Sequence, residues 1–303
     1  MLQALLSGLA IGAIYGLVAM GFAIAFYVTR VINFAQGQFL MVAIMVTAAV
    51  WTAGWPVVAA IVVGIVCACL AGVLTYVLAV RPVLAFSRFS FAWLVSTLGV
   101  ALILENGAAL IWGPASRAFP SLLNGTSIPV GSAVLTGQEV LAIAVALAFA
   151  VDFELVRTRT LFGKLAVAIA FDPEMAEAVG ANTTAFAIIA FAVAGLFAGV
   201  AGALIGPRTF ANPYLGETYG IAGFVALMIG GTERPVAAML GGFVLGILSQ
   251  GANALINSQA SDWFPFVVLV AVLLVSPEGL FGSANPVRRL VARGVRGALG
   301  LSG

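Results

Sequence analysis

Glu105 is a carboxylate inside an otherwise apolar run, Phe91 to Trp112, with Asn106 beside it and Ser96 and Thr97 earlier in the same stretch. Holding a carboxyl in hydrocarbon costs roughly 2.5–3.5 kcal/mol on insertion scales, so Glu105 must face protein or water. It can serve as a hydrogen-bonded packing group or as a contact for a polar solute crossing the membrane. Asn33, Gln36 and Gln38, in V-I-N-F-A-Q-G-Q-F, stand just before another apolar run from Leu40 to about Ala53. Either they lie at the bilayer interface, or they open a broken helix near the midplane, where uncapped backbone groups bind a polar solute. A second polar, glycine-interrupted stretch, Asn212 to Gly231, occupies the other half of the chain and carries Asn212 and Glu217. Paired discontinuities in matching halves point to a solute site, although these two share no alignable sequence. The candidate lining of a translocation path is therefore Asn33, Gln36, Gln38, Thr97, Glu105, Asn106, Asn212 and Glu217.

Other chemistries find little support. The chain has no histidine, which removes the commonest metal ligand and proton shuttle. Cys67 and Cys69 lie two apart in an apolar run, on different helix faces, and read as packing residues. No metal and no cofactor is expected. The only lysine, Lys164, follows Gly163 in F-G-K-L, but a phosphate-binding loop needs a glycine five residues before the Gly-Lys pair and Ser or Thr after it. Thr158 and Leu165 hold those places, so any ATP that drives this chain binds a separate polypeptide. An intramembrane enzyme is improbable without a nucleophile and histidine partner. Nucleic-acid binding has no support, because the basic residues follow membrane topology.

The elements that must position the polar groups are membrane spans. Of 303 residues, 63% are hydrophobic and 8% charged, where soluble domains carry about 25% charge. Length therefore counts crossings, each of about 20 apolar residues. The expectation is an all-α integral membrane protein, a polytopic helix bundle of about nine spans forming one domain over 1–303; no strand alternation supports a β-barrel. The spans are Leu2–Val28, Leu40–Ala53, Val57–Val80, Phe91–Trp112, Glu139–Val156, Thr183–Ile205, Tyr219–Ile229, Val236–Ile256 and Phe264–Val275. Tyr219–Ile229 covers only about 16 Å at 1.5 Å per residue, so it re-enters, tilts or continues a broken helix. The last run is also short, and its helix is expected to begin in the preceding loop. Arg81 to Ser90 reads as a basic loop, Pro207 to Thr218 as a loop, and Gly113 to Gln138 as an extracytoplasmic loop with little regular structure. Small-residue stripes mark close helix approaches: Gly8, Gly12 and Gly16; Gly64, Ala68 and Gly72; Gly242 and Gly246. Gly195, Gly199, Gly202 and Gly206 fall on one face and read as the strongest seam, at a tight helix crossing.

Between two apolar blocks lies the polar stretch Arg157 to Asn182. Asp172-Pro173 reads as an N-cap followed by proline at the first helical position. Glu174 falls in the first turn, at the positive end of the dipole, and Gly180 where a closing helix needs a left-handed residue. Upstream, Phe162, Leu165, Ala166 and Ile169 recur at helical spacing. Such a helix pair is either an ordinary amphipathic loop or a coupling element that docks on a soluble motor.

The run F-G-K-L-A-V-A-I-A-F-D-P-E-M-A-E-A-V-G, residues 162–180, resembles the cytoplasmic loop of permease subunits of bacterial ABC importers of the branched-chain amino acid (LivH-type) class. I-N-F-A-Q-G, S-T-L-G-V-A-L-I-L-E-N, the glycine-rich sixth span, Gly230-Gly231 and the P-E-G-L-F-G ending resemble the same family, in order along most of the chain. The resemblance implies that 157–182 is a cytoplasmic coupling loop fitting a cleft of an ATPase subunit, with Gly163, Asp172, Pro173, Glu174, Ala176, Ala178 and Gly180 at the contact. It implies a multi-pass chain of the bacterial cytoplasmic membrane that works with a second permease chain, two cytoplasmic ATPase subunits that bind the ATP, and an extracytoplasmic solute-binding protein. Family substrates are branched-chain and other amino acids, urea, small amides and aromatic acids. Gln36 and Gln38 depart from the commoner histidine and acidic residue, and Glu105 from a frequent neutral amide, which bears on the solute assigned.

Placing the 157–182 loop inside and alternating outward puts all but two of the 13 basic residues on the cytoplasmic side, the exceptions being Arg117 and Arg208. The positive-inside rule then sets the N-terminus outside and the C-terminus inside, which needs an odd number of crossings. Two other classes compete: a secondary transporter coupled through Glu105 or Asp262, and a passive channel for water or small neutral solutes, which Asn212-Pro213 and Asn285-Pro286 suggest weakly. Neither needs a helix pair shaped for an ATPase.

Overall fold

The computed structural model describes residues 1–275 and 279, apart from 87–90, 122, 124–125, 131–132, 233 and 257–259. The bundle is organised around α1 (Leu2–Thr29), whose most apolar stretch is 83% buried, against 11% for the comparably apolar α5 (Ala92–Trp112). Composition alone does not separate the axis of the bundle from its rim. The difference lies in small residues: α1 carries glycines wherever a neighbour must come close.

That neighbour is α11 (Pro235–Leu255), antiparallel to α1, so that Gly8, Gly12 and Gly16 meet Gly246, Gly242 and Met239 in turn. A Cβ on Gly242 would stand 2.3 Å from the Gly16 nitrogen, and one on Gly246 2.4 Å from the Gly12 Cα. Without a hydrophobic driving force between helices in lipid, such backbone contact supplies the dispersion that holds them. α9 (Thr183–Thr209) behaves differently from the single seam expected of its glycines. Gly195 and Gly199 pack on Ala68 and Ile65 of α3 (Val57–Thr75), Gly202 meets Leu40 and Ile44 of α2 (Gln36–Thr52), and Gly206 lies under the Phe119 ring. One face of α9 thus crosses several partners along its length.

Several boundaries differ from the sequence reading. α3 does not end in a loop at Arg81-Pro82: it passes through a π-helical segment, Tyr76–Val80, into α4 (Arg81–Phe86). Pro82 has no N–H to offer the preceding turn and its ring needs room there, which the wider π winding gives. The stretch 113–138, expected to hold little regular structure, contains one short regular element. It holds an antiparallel hairpin, β1 (Ser127–Val130) and β2 (Ala133–Thr136), which Pro129 and strands of four residues conceal from pattern reading. The hairpin leads directly into α6 (Gly137–Arg159), started by a capping box in which Thr136 Oγ1 accepts the Glu139 N–H at 3.3 Å and the Glu139 carboxylate accepts the Thr136 N–H at 2.9 Å. α9 continues through Pro207 to Thr209, and Phe210 at φ 60 ends it. α10 (Leu215–Gly230) then begins within the expected loop and reaches 16 residues, because Gly216, Glu217 and Thr218 are polar yet compatible with a first turn. The last helix, α12 (Ala260–Val275), begins ahead of Phe264 as expected. The Asp262 side chain, Glu233, Arg88 and the tail with Asn285-Pro286 and its four arginines lie outside what is described.

Candidate translocation cleft and coupling element

After α1 the chain turns back into the bundle. Gln36 opens α2 against Gly21 of α1, and its Nε2 donates to the Ala194 carbonyl at 2.9 Å. Gly21 precedes the end of α1 by just over two turns, roughly 12 Å of helix, so α2 starts well inside the bundle. Asn33, Gln36 and Gln38 are all buried in protein. Irregular backbone at this depth is tolerated only where protein satisfies it. Here Asn33 Oδ1 accepts the Ala35 N–H, the Asn33 carbonyl accepts that of Gln36, and Thr97 Oγ1 accepts that of Phe34 at 3.4 Å.

The start of α2 meets the start of α10. Gly37 abuts Gly216 and Gly220, and Gly216 in turn faces the Gln38 amide, so the two discontinuities, far apart in sequence, form one crossing. Against it a cleft of about 370 Å³ opens towards α5, lined by Gln38, Glu105 and Glu217 among Phe22, Phe34, Phe224 and Leu98. Gln38 Nε2 donates to Glu105 Oε2 at 2.9 Å, while Gln38 Oε1 has no hydrogen-bond partner. The cleft therefore offers two carboxylates, Glu105 and Glu217, on an aromatic floor, while the Gln38 amide oxygen is buried against Gly216, a lining suited to a small solute with a cationic or N–H-bearing end and an apolar body.

The remaining path candidates are placed elsewhere. Asn33, Gln36 and Thr97 are packed into the wall behind the cleft. Asn106 is exposed and donates to the Leu102 carbonyl of its own helix. Asn212 belongs to the connection before α10, donating to Ser116 Oγ and accepting from the Tyr214 N–H. The aromatic floor carries no sequence signal, because phenylalanine is common in every span. Replacing Gln38 by leucine should destabilise the fold by roughly 1.5–3 kcal/mol, the value of a hydrogen bond to a charged group. Pairing it with Glu105→Leu should recover part of that loss in a double-mutant cycle read by unfolding, whereas additive effects would contradict the bond.

At the C-terminal end of α1, α7 (Leu161–Phe171) and α8 (Pro173–Ala178) form the helix pair. Thr160 caps α7 by accepting the Gly163 N–H at 3.0 Å. Gly163 is needed because a Cβ there would stand 2.4 Å from the Val156 and Arg157 carbonyl oxygens. Asp172 caps α8 through the Met175 N–H at 2.9 Å, Pro173 is its first residue, and Gly180 at φ +93 closes it, with the Ala181 N–H returning to the Ala176 carbonyl. Arg30, at the end of α1, donates to the Ala170 carbonyl at 2.7 Å and ties the pair to the bundle. Ala176 is buried against the protein's own helices, and Glu174 and Ala178 are exposed. The pair carries exposed apolar side chains the sequence reading missed: Phe171 at the end of α7, Met175 in α8 and Val179 at its C-cap, exposed by 91, 66 and 78%. Asp172→Ala should cost about 1 kcal/mol of local helix stability, read as faster amide exchange at Met175 and its neighbours; unchanged exchange would show that the cap is idle.

A chain with this element and this cleft can be compared with known families. The family described as branched-chain amino acid transport system / permease component matches residues 4–273. The chain belongs to that family. Among relatives of this permease, LivH of Escherichia coli (strain K12), a high-affinity branched-chain amino acid transport system permease protein, is 33% identical over 93% of this chain and 95% of its own length. BraD of Pseudomonas aeruginosa, described in the same terms, is 28% identical with the same coverage. The ribose import permease protein RbsC of Bacillus subtilis is 30% identical over 48% of the chain and 46% of its own. The permease is a multi-pass membrane protein, with 5 helices long and apolar enough to cross a bilayer among the described residues.

Proposed function

We propose that this permease is the membrane-spanning subunit of an ATP-driven ABC importer and forms the path for branched-chain or related amino acids, or small amides. It pairs with a second permease chain, related or identical, and with two cytoplasmic ATPase subunits that bind ATP; an extracytoplasmic binding protein delivers the solute. The whole chain acts as one transmembrane domain of the bacterial cytoplasmic membrane with nine crossings, the N-terminus outside and the C-terminus inside. The antiparallel packing of α1 on α11 and of α9 on α3 is in keeping with that alternation.

The observation that carries this reading is the set of exposed apolar side chains Phe171, Met175 and Val179 along the α7–α8 pair, whose α7 Arg30 fastens to α1. Water-facing apolar side chains on a rigid short helix suit a protein partner, and residues 157–182 are the coupling loop in this account. The partner permease is supported by α5, which is almost wholly uncovered yet carries Glu105 and Asn106 at mid-span. Such groups belong against protein or a water-filled path rather than lipid. ATP-driven closure of the ATPase pair would move α7 and α8, and the permease halves would rock so that the cleft faces one side at a time.

Cysteine introduced at Met175, with Cys67 and Cys69 replaced by alanine, should crosslink to the ATPase subunit in the copurified assembly. A membrane-impermeant thiol reagent should label it only from the cytoplasmic side. Labelling from outside would overturn the orientation.

A further inference from the structure

Beside the coupling element a cavity of about 620 Å³ opens between the end of α1, the π segment with α4, the start of α5 and α8. Its lining includes Arg30 and Arg81, together with Tyr76 and Trp93. Arg30 uses one N–H on the Ala170 carbonyl. Arg81 is exposed and takes part in neither of the ion pairs found among the described residues, Arg157–Glu154 and Arg208–Glu139. The carboxylate in the wall, Glu177, is already engaged by the Thr183 hydroxyl. From Arg81 an apolar column runs the length of α3 and the π segment at every fourth residue: Val58, Val62, Val66, Leu70, Leu74 and Leu78, each at least half exposed.

We propose that this cavity takes the headgroup of an anionic phospholipid, its phosphate between Arg30 and Arg81 and its acyl chains along Leu70, Leu74 and Leu78. The guanidinium fork matches phosphate oxygens, the cytoplasmic leaflet supplies anionic lipid, and Trp93 sits where interfacial aromatics anchor helices. A free phosphate would satisfy the arginines but leave the column unused. Because the same wall includes Pro173 and Glu177 of α8, while Arg30 holds α7, the lipid braces the coupling element from the membrane side. This assignment rests on the orientation proposed above, but lipid binding is read without transport, so its failure is distinct from a failure of the importer reading.

The full chain, purified with the partners it assembles with, is titrated with phosphatidylglycerol and with phosphatidylcholine under native mass spectrometry. Phosphatidylglycerol should be retained in preference, and Arg81→Gln should weaken its binding about fivefold while leaving phosphatidylcholine unchanged. Arg81→Lys should restore most of the loss, and Arg159→Gln, an exposed cation outside the cavity, should have no effect. Equal retention of both lipids, or undiminished phosphatidylglycerol binding by Arg81→Gln, would overturn the proposal. So would displacement of the lipid by inorganic phosphate that itself stays bound, which would make the cavity a site for the free anion.

Discussion

A Gly242→Leu permease is expected to lose its folded, monodisperse state in detergent. The first side-chain carbon alone would sit 2.3 Å from the Gly16 nitrogen and 2.8 Å from the Gly12 oxygen, and both are backbone atoms of the most buried helix. No rotamer change relieves a clash with backbone, so α1 and α11 must separate. Overpacking of this kind costs about 3 kcal/mol or more, the upper end of what cores absorb by shifting side chains. Gly251→Ala, farther along the same α11, meets nothing within 4 Å and should change the melting profile little, by about 0.5 kcal/mol or less. Equal melting of the two variants would contradict the packing of α1 on α11. Gly199→Leu should fall between them, because its Cβ would meet the Ile65 Cα at 3.1 Å, a neighbour on a helix nearer the rim.

The second large effect is expected at the coupling pair. Met175→Asp puts a charge on an apolar face of α8 where the side chain is 66% exposed, so the permease should fold and insert normally. If that face anchors the ATPase subunit, loss of a central hot spot worth about 2 kcal/mol or more weakens the contact about 30-fold or beyond, and ATP hydrolysis should continue without solute uptake. Reversing Glu174 or enlarging Ala178, both exposed on α8, should uncouple less severely. Ala176 is the wrong probe, since it is 4% exposed and a large side chain there would lift α8 from its own bundle. Normal coupling by Met175→Asp in reconstituted vesicles would remove the docking role.

The contrast between Gly242 and Gly199 marks what the sequence can and cannot convey. The stripes Gly8-Gly12-Gly16 and Gly242-Gly246 stand out by spacing alone, as does the capped helix after Asp172, because each is a local statement about one turn or one face. That the two stripes face each other is a statement about the whole bundle, and no local pattern holds it. The same limit explains α9, whose four glycines read as one seam but serve several neighbours. At the cleft, Gln38, Glu105 and Glu217 were legible because polar groups in apolar runs are costly and conspicuous. Their aromatic floor of Phe22, Phe34 and Phe224 was not, because apolar side chains in a membrane protein carry no contrast. Asn212 shows the converse: it is polar and conspicuous, yet it caps a loop. Proline misled at both Pro82 and Pro207: a π segment carries the helix into the first, and α9 runs on through the second.

The most direct test of the account is uptake by vesicles containing the purified permease, with and without the ATPase subunits it copurifies with. Radiolabelled leucine should accumulate only when the ATPases and ATP are present on the side bearing Met175. Accumulation by the permease pair alone, driven by an ion or solute gradient, would contradict it and favour a carrier or channel.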